Sequence, residues 1–342
     1  MRAGYLVAPR HVEVRDEPMP TAPAGGLVVR VRVALTDGTD LKAFRRGHPQ
    51  MPMPTRFGHE FSGDVVAVGE GAGEFVEGDA IACVHSAPCG GCFWCEHEQE
   101  ELCEAVMETK ILGGYAEYIA VPAHIVACNT FRKPHWISYE TAAFLEPLSC
   151  VVHSLDVLAP RTDATVLVIG DGAFGILHAA VAGARFGCDV MLAGHHPQRL
   201  AIAQQLGVRN LLGPADDDGL LAQVLAATGG RGVDAVIECT GTQRVWEVAP
   251  RFARRGGTAL LFGGLPGGTS VSFDAFRLHY DEVRVLSPFH FTPHAVRIAF
   301  EMLATNAIDV LPLISATYAL DELPRAFAEL DSGHGLKYAI VP

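Results

Sequence analysis

The spacing of apolar residues changes along the chain and separates a strand-rich region from a region of alternating strands and helices. Apolar and polar residues alternate over 27–35 (LVVRVRVAL), a period that predicts a β-strand. Residues 61–69 and 78–84 predict further strands, with glycine-containing turns between them. Around residues 137–158 the spacing becomes helical. The first third of the chain is therefore predicted to form a β-rich domain.

From residue 164 onward, short apolar runs alternate with helical patterns. The runs ATVLVIG, CDVMLAG, VDAVIECTG and GGTALLFGG predict strands, and helices are predicted over 174–186, 198–206, 219–228 and 244–253. Strands that are apolar at almost every residue are buried on both faces, which is typical of a parallel sheet between two layers of helices. From residue 294 the pattern changes again, to a helix followed by short strands.

Composition favours two folded domains, at about 150 residues per domain. The chain has 342 residues, of which 49% are hydrophobic and 19% are charged, so it can bury large apolar cores. Its net charge of −13 would repel nucleic acid and anionic membrane surfaces. We find no apolar run of membrane-spanning length and no signal peptide in the sequence, and we therefore expect a cytoplasmic protein.

Four of the nine cysteines lie close together in the sequence. Because four thiolates in the pattern C-x2-C-x2-C-x7-C can surround one Zn²⁺ and leave no position for a substrate, we expect a structural zinc in a lobe over residues 86–106. An iron–sulfur cluster and free thiols are the alternatives, but no Cys-Pro follows the run. The scattered cysteines predict small buried side chains. The four proposed ligands are Cys89, Cys92, Cys95 and Cys103.

A glycine-rich turn follows the first strand of the alternating region. Residues 170–175 (GDGAFG) match G-x-G-x-x-G where an apolar strand meets a helix. In such turns the glycines permit a tight bend, close approach of a pyrophosphate and close packing of helix on strand, while the helix N-terminus favours phosphate. We therefore expect a dinucleotide cofactor at this turn. The expected contacts are Gly170, Gly172, Ala173, Phe174 and Gly175.

The end of the next strand bears on the choice between NAD and NADP. Proteins that bind NAD usually carry an acidic residue there, about 20 residues after the glycine turn. Here the strand is followed by Gly194 and His195, with Arg199 beyond them, and no carboxylate is present. Without an acid, a 2′-phosphate is not repelled and could be bound by Arg199 and the histidines. NADP is therefore expected more than NAD, the alternative being that Arg199 is an ordinary surface charge.

Three further segments contain side chains that could bind a metal. Asp37 lies in TDGTD, His59 and Glu60 lie in FGHE, and Glu146 lies in FLEPL. Taken singly, each has an ordinary explanation: a turn, a core histidine or a carboxylate at a helix end. Their order relative to the cysteine lobe instead indicates a catalytic site in which an imidazole and carboxylates bind Zn²⁺ and leave one position open.

Together these features resemble the zinc-dependent medium-chain alcohol dehydrogenases, in particular their polyol (sorbitol-like) branch. The resemblance extends over essentially the whole chain and implies an α/β fold with two domains. A GroES-like, β-rich catalytic domain would comprise residues 1–150 and 292–342, and a doubly wound parallel-sheet Rossmann domain residues 151–291. A homodimer or homotetramer is also expected. The motifs that carry the resemblance are Gly38-Thr39-Asp40, Gly58-His59-Glu60, Glu146-Pro147-Leu148, the cysteine lobe and the glycine turn.

The resemblance also implies roles for individual residues. His59 and Glu146 would bind the catalytic zinc, and Glu60 would bind it or assist a ligand. Thr39 would accept the proton of the substrate hydroxyl and pass it to the cofactor ribose.

Two positions depart from the family pattern. Where this chain has Asp37, the family has the Cys that is the first ligand of the catalytic zinc; where it has Lys42, the family often has a proton-relay His. A carboxylate can bind zinc at about 2.0–2.2 Å, so Asp37 is expected to replace the Cys and to admit harder metals such as Mn²⁺. The alternative is that the catalytic metal is lost and Asp37 is a turn residue. Lys42 could help Thr39 to carry the proton.

The expected substrate is a small alcohol or the corresponding ketone. Phe57 and His290 are expected to line its site, and because relatives acting on sorbitol tend to carry Arg near the second position, His290 argues against sorbitol itself. The predicted activity is hydride transfer between a secondary alcohol, polyol or sugar-derived, and NAD(P).

Two other functions remain open from the sequence. A metal-free NADPH-dependent reductase of the same superfamily would not need to keep His59 and Glu146. A non-catalytic cofactor-binding relative would explain the changes at Asp37 and Lys42. It would not explain the retention of Thr39, His59 and Glu146.

Overall fold

The computed structural model describes residues 1–49 and 51–342. The chain divides into two compact units, Met1–Ser149 with Phe291–Pro342, and Cys150–His290. Both divisions fall one residue before the expected domain boundaries. No helix in the described part of the chain is both long and apolar enough to cross a membrane.

The described residues up to 158 form eight strands and five helices, the last of which continues past residue 149. The strands are β1 (Arg2–Ala8), β2 (His11–Asp16), β3 (Leu27–Leu35), β4 (Thr55–Arg56), β5 (Glu60–Val68), β6 (Ala80–Cys83), β7 (Tyr118–Val121) and β8 (Thr130–Arg132). The helices are α1 (Gly38–Arg46), α2 (Phe93–Glu96), α3 (Ala123–Asn129), α4 (Tyr139–Ala143) and α5 (Leu145–Leu158).

The second unit alternates strands and helices as its apolar pattern predicts. Its strands are β9 (Thr165–Ile169), β10 (Asp189–Ala193), β11 (Asn210–Leu212), β12 (Val233–Glu238), β13 (Ala253–Leu261) and β14 (Arg284–Leu286). Its helices are α6 (Ala173–Phe186), α7 (Pro197–Gln205), α8 (Asp217–Ala227), α9 (Gln243–Val248) and α10 (Ala275–His279).

The last residues return to the first unit. They form α11 (Pro293–Ala304), β15 (Ile314–Ala319), α12 (Leu323–Asp331) and β16 (Lys337–Val341). Single turns of 3₁₀ helix cover Glu100–Leu102, Ala249–Arg251, Leu311–Leu313 and Leu320–Glu322.

The first unit is built on a seven-stranded sheet in the order β15-β16-β3-β5-β6-β8, with β7 also paired to β3. A three-stranded sheet, β2-β1-β4, accompanies it. The alternation in β3 turns Arg30 and Arg32 outward while Val31 between them and Val29 and Val33 on either side are buried. The buried residues of this unit include Phe57, Phe61 and Phe327, which belong to one hydrophobic core.

The second unit is a six-stranded parallel sheet in the order β11-β10-β9-β12-β13-β14. β9 lies in the interior of this order, between β10 and β12, and four of its five residues are buried. The order reverses between β9 and β12, and in open sheets of this kind ligands bind beyond the carboxyl ends of the strands at such a point. The glycine turn follows β9 directly. These features confirm the predicted α/β architecture.

Candidate functional site

The register of four strands brings distant segments together at one end of the seven-stranded sheet. Leu35, the last residue of β3, pairs with Glu60, the first residue of the antiparallel strand β5, so that Asp37, just after β3, and His59, just before β5, lie side by side. β16 pairs with β3 on its other edge, and the backbone N–H of Thr36 donates to Tyr338 O at 2.9 Å. β6 pairs with β5. The sheet therefore assembles a polar cluster from four separate stretches of sequence.

Asp37, His59 and Glu60 form the core of this cluster. All three are buried, and each offers a ligand atom within 4.8 Å of the other two. Nε2 of His59 lies 3.1 Å from Oδ2 of Asp37. Two ligands of a tetrahedral zinc, each about 2.1 Å from the ion, are about 3.4 Å apart. The donors therefore fit a divalent metal in both chemistry and spacing.

His59 is held so that Nε2 faces Asp37. Its Nδ1 lies 3.2 Å from Oδ1 of Asp40, and the hydroxyl of Tyr115 donates to Oδ2 of Asp40 at 2.5 Å. A carboxylate on the far nitrogen fixes the ring of a metal-binding histidine and its tautomer. Burial alone would lower the pKa of His59, but the neighbouring carboxylates, Asp40 first among them, raise it well above its ordinary value. The sequence analysis did not assign roles to Asp40 and Tyr115.

Asp37 has two contacts, one through each oxygen. Oδ1 accepts a hydrogen bond from the backbone N–H of Thr39 at 2.6 Å and so caps the N-terminus of α1, while Oδ2 faces His59. Burial alone would raise the pKa of Asp37, but His59 and, more weakly, Lys337 hold it below its usual range. The carboxylate therefore serves as a turn residue and at the same time keeps one oxygen directed at the cluster. Thr39 and Lys42 are half-buried on the same helix.

Glu60 is bound by a lysine that the sequence analysis missed. Nζ of Lys337 lies 2.6 Å from both Oε1 and Oε2 of Glu60 and donates to Thr36 O at 2.8 Å. Lys337 is only 1% exposed. Burial alone would lower the pKa of Lys337, but the Glu60 and Asp37 carboxylates raise it. A basic residue at a buried position of β16 was the signal that could have identified it.

Glu146 lies next to the cluster but outside the 4.8 Å set. Its Oε1 is 3.6 Å from Nδ1 of His85, whose ring centroid is 4.9 Å from that of His59. Glu146 was expected as the third donor beside Asp37 and His59; here Glu60 belongs to the 4.8 Å set and Glu146 lies beside it, so the role of Glu146 as a ligand stays a prediction. The neighbour of Glu146, His85, is a residue that sequence reasoning did not single out.

The two predicted substrate-site residues lie in different surroundings. Phe57 is 0% exposed and packs between Tyr115 and Phe327, at ring-centroid distances of 5.5 and 4.9 Å. The side chain is therefore enclosed in the core in this structure, and the expected place of Phe57 in the wall of a substrate site stays a prediction. His290 is half-buried, has a positive φ of 61° and is the last residue of the second unit.

The cysteine lobe has the geometry of a tetrathiolate site. The sulfur atoms of all four cysteines lie within 4.8 Å of one another, and Sγ of Cys92 is 3.6 Å from Sγ of Cys95. Four sulfurs around zinc at about 2.3 Å would be about 3.8 Å apart. Backbone N–H groups, that of Cys95 first, lower the pKa of Cys92 to about 6. Because the four sulfurs already converge as free thiols, the lobe fits a structural zinc.

The glycine turn of the second unit fits a dinucleotide. Gly170 has a φ of 119°, and a Cβ on Gly175 would lie 1.8 Å from Gly170 O, so neither position tolerates a side chain. A Cβ built on Gly172 would meet no described atom within 4 Å. Gly172 is the N-cap of α6, whose first residues are Ala173 and Phe174. The open side of the turn can therefore receive a pyrophosphate at the helix N-terminus.

The end of β10 differs from the expectation. The sequence has no acid at this strand end, but the side chain of Asp171, from the glycine turn, reaches it: Oδ2 accepts hydrogen bonds from the backbone N–H groups of His195 at 2.8 Å and His196 at 2.7 Å. The nearest guanidinium nitrogen of Arg199 lies 3.9 Å from Oδ1 of Asp171. The residues that follow β10 carry no acid, as the sequence shows, but the fold brings the carboxylate of Asp171 to this strand end.

Comparison with known proteins agrees with this geometry. Residues 23–129 match the family model of the alcohol dehydrogenase GroES-like domain, and residues 173–305 match that of zinc-binding dehydrogenase. The chain is 26% identical to sorbitol dehydrogenase of Bacillus subtilis over 328 residues, which is 94% of this chain and 91% of that protein. It is 27% identical to D-arabinitol dehydrogenase 1 of Uromyces fabae over 350 residues, covering 100% of this chain and 97% of that protein.

Solved structures show the same fold. A Sinorhizobium meliloti zinc-binding dehydrogenase homologue, crystallised with NADP, superposes with a TM-score of 0.90 at 29% identity, covering 100% of this chain and 99% of that chain. The alcohol dehydrogenase TADH of Thermus sp. ATN1 superposes with a TM-score of 0.87 at 26% identity and the same coverage. The resemblance drawn from the motifs is thus confirmed, and the chain belongs to the zinc-type medium-chain alcohol dehydrogenase family.

Proposed function

We propose that the chain is a zinc-dependent oxidoreductase that transfers a hydride between a secondary alcohol, polyol or sugar-derived, and NAD(P). The observation that carries the proposal is the buried set of Asp37, His59 and Glu60, whose ligand atoms lie within 4.8 Å of one another. Relatives named sorbitol and D-arabinitol dehydrogenase support the substrate class. The nicotinamide cofactor would be held at the glycine turn of residues 170–175.

In this proposal Asp37, His59 and Glu60 hold the catalytic metal, with Glu146 as a nearby carboxylate that can approach it. When bound, zinc supplies Lewis acidity that favours the deprotonated form of an alcohol. Asp40 keeps the His59 ring oriented, because it accepts from the far nitrogen. Lys337 balances the charge of Glu60.

Thr39 is proposed to take the hydroxyl proton of the alcohol. Its hydroxyl lies in the first turn of α1, and the bond from its backbone N–H to Asp37 fixes that turn beside the metal donors. Lys42 is one turn further along the same helix and is proposed to assist in moving the proton. A hydroxyl can accept one proton and donate another, so Thr39 can pass the proton on without acquiring a charge.

The finer proposal on the cofactor is a preference for NADP. His195, His196 and Arg199 surround the turn that follows β10, and all three can donate hydrogen bonds to a 2′-phosphate. The Sinorhizobium meliloti relative was crystallised with NADP, whereas a relative from Escherichia coli was crystallised with NADH.

A homodimer or homotetramer is proposed from the edge of the parallel sheet. β14 is the last strand of its sheet, and the residues just before it include Phe276 and Tyr280, which are 57% and 63% exposed. An unpaired strand edge beside exposed aromatic rings is typical of a surface that a second copy covers. Light scattering of the purified chain tests this.

The test of the proposed function combines metal analysis with turnover. We expect two zinc ions per chain, and reversible reduction of NAD(P) with a panel of secondary alcohols and polyols but not with primary alkanols alone. Asp37→Ala and His59→Ala should each lose one metal and the activity, and keep the zinc of the cysteine lobe. Turnover that survives complete removal of the second metal would refute the proposed mechanism.

A metal-free reductase of activated double bonds is a second candidate. It is favoured by one observation: Lys337 already contacts both oxygens of Glu60, and His59 already contacts Asp37, so the buried cluster pairs its own charges. This candidate predicts NADPH-dependent reduction of enones by chelator-treated enzyme and no reaction with alcohols.

A further inference from the structure

The carboxylate of Asp171 occupies the strand end at which this fold normally places the acid that binds the adenosine ribose. Asp171 lies in the glycine turn after β9, yet its Oδ2 accepts from the N–H groups of His195 and His196, directly after β10. Its side chain is only 8% exposed. The carboxylate is therefore fixed at this place rather than free to swing into solvent.

Gly194 explains why the acid comes from the glycine turn. A Cβ built on Gly194 would lie 2.5 Å from Cβ of Asp171 and 2.6 Å from its Oδ2. Such contacts are far inside van der Waals distance, so the space next to the strand end holds one side chain only. An acid at position 194 and an acid at position 171 therefore exclude each other, and in this chain the acid is at position 171.

The two oxygens of Asp171 are used unequally. Oδ2 receives both backbone N–H groups and lies 3.0 Å from Nδ1 of His196. Oδ1 lies 3.1 Å from the same nitrogen and 3.9 Å from the nearest guanidinium nitrogen of Arg199, which is beyond hydrogen-bond length. A carboxylate oxygen can accept about two hydrogen bonds, so Oδ1 retains capacity for a hydroxyl donor.

We propose that Asp171 is a cofactor-specificity residue of this enzyme: its Oδ1 accepts the 2′-hydroxyl of the adenosine ribose, and its charge opposes a 2′-phosphate. Arg199, whose guanidinium lies 3.9 Å from the same oxygen, attracts that phosphate, so the two residues act in opposite directions on the choice between NAD and NADP. This inference rests on the proposed use of a nicotinamide cofactor, and it adds an acid from an unusual part of the chain.

The first test is Asp171→Asn in the zinc-loaded full chain, with the dissociation constants of NADH and NADPH measured by cofactor fluorescence. Removal of the charged acceptor should weaken the binding of NADH about tenfold. Loss of the repulsion between Asp171 and the 2′-phosphate should tighten the binding of NADPH, so that the ratio of the two dissociation constants shifts more than tenfold. Asp218→Asn, which removes one exposed carboxylate elsewhere in the same unit, is the matched control and should leave the ratio unchanged.

The second test moves the acid to its ordinary place. Gly194→Asp alone should weaken the binding of both cofactors, because the new side chain crowds Asp171. The double variant Asp171→Gly/Gly194→Asp, an exchange of the two residues, should restore NADH binding. This exchange keeps the proposal open to refutation even where Asp171→Asn fails to fold. If Asp171→Asn weakens both cofactors equally, or if the exchange fails to restore NADH binding in a folded chain, Asp171 is only an anchor of the turn. If the unmodified chain binds neither cofactor, the proposed function fails instead.

Discussion

Nζ of Lys337 lies 2.6 Å from both carboxylate oxygens of Glu60, although 277 residues separate the two in the sequence. The contact exists because β16 and β5 both flank β3 in one sheet. Both side chains are almost completely buried, and a buried charge is costly unless it is paired. The pair thereby connects β16, near the end of the chain, to Glu60, one of the candidate metal donors.

Lys337→Met should therefore destabilise the metal-free chain strongly. The substitution keeps an unbranched side chain of similar length but leaves the Glu60 carboxylate buried without its cation, which typically costs about 3–5 kcal/mol. Urea unfolding of the metal-stripped chain measures the loss in the free energy of unfolding.

The double variant Lys337→Met/Glu60→Gln is the matched control. It removes both charges, so we expect it to recover more than half of the loss. If Lys337→Met alone is as stable as the parent chain, the ion pair of Lys337 with Glu60 does not stabilise the fold.

Local patterns were sufficient to predict much of the fold. The period-two alternation predicted β3, and the apolar runs between helical patterns predicted strands of the second unit. Each pattern depends on a few neighbouring residues only, and the structure has these strands where the patterns indicated. The short strands β11 and β14 were missed, because three residues carry too little periodicity. The predicted helix over 244–253 is shorter in the structure and gives way to a 3₁₀ turn and β13, which begins at Ala253.

The candidate site was less predictable because strand register assembles it. Motif order pointed to His59 and Glu60, but the side chains that hold them, Asp40 on His59 and Lys337 on Glu60, come from contacts that no local spacing encodes. The same limit explains the missing acid beside β10: Asp171 was counted as part of the glycine turn, and only the fold shows that its side chain reaches the next strand.

Cys92→Ser should remove the zinc of the cysteine lobe and lower the melting temperature. Three thiolates and a solvent molecule hold zinc less well than four thiolates, and the folding energy that the metal supplies to the loop is lost with it. Metal content by mass spectrometry and thermal unfolding measure the two effects. Cys128→Ser, outside the lobe, is the control and should retain the metal; an unchanged zinc content in Cys92→Ser would show that the lobe is not a metal site.

His178 should make the chain lose stability in acid. Its Nδ1 donates to Phe174 O at 2.7 Å and its Nε2 lies 2.6 Å from the hydroxyl of Ser154, and burial lowers the pKa of His178 to about 4. An unfolded histidine titrates near about 6.5. Between these two pKa values the unfolded chain binds a proton that the folded chain does not. The contribution of His178 to the free energy of unfolding is therefore fully present above the unfolded pKa, and it is lost as the pH falls towards the folded pKa.

The size of this effect can be isolated with His178→Asn. From pH 7.5 to pH 5 the parent chain should lose about 2 kcal/mol more of its free energy of unfolding than the variant does, at 1.36 kcal/mol for each pH unit below about 6.5. Urea unfolding at the two pH values gives the difference. His135→Asn, at an exposed position, is the control and should show the parent's pH dependence of stability. If the stability of all three chains changes equally with pH, His178 is not a buried neutral histidine that titrates on unfolding.

Asp37 allows the sharpest separation between a metal ligand and a helix cap. Its Oδ1 caps α1 through Thr39 and its Oδ2 faces His59. Asp37→Ser keeps a capping oxygen but removes the second oxygen, so helix stability should stay within about 1 kcal/mol of the parent while the second metal is lost. Asp37→Cys should bind zinc more tightly than the parent, because a thiolate is the softer donor, and should discriminate more strongly against Mn²⁺. Metal titration by calorimetry, with the zinc of the cysteine lobe as internal reference, measures both. If Asp37→Ser and Asp37→Asn both retain two metals at the parent's affinity, Asp37 is a cap alone and the catalytic metal, where present, rests on His59 and its glutamate neighbours.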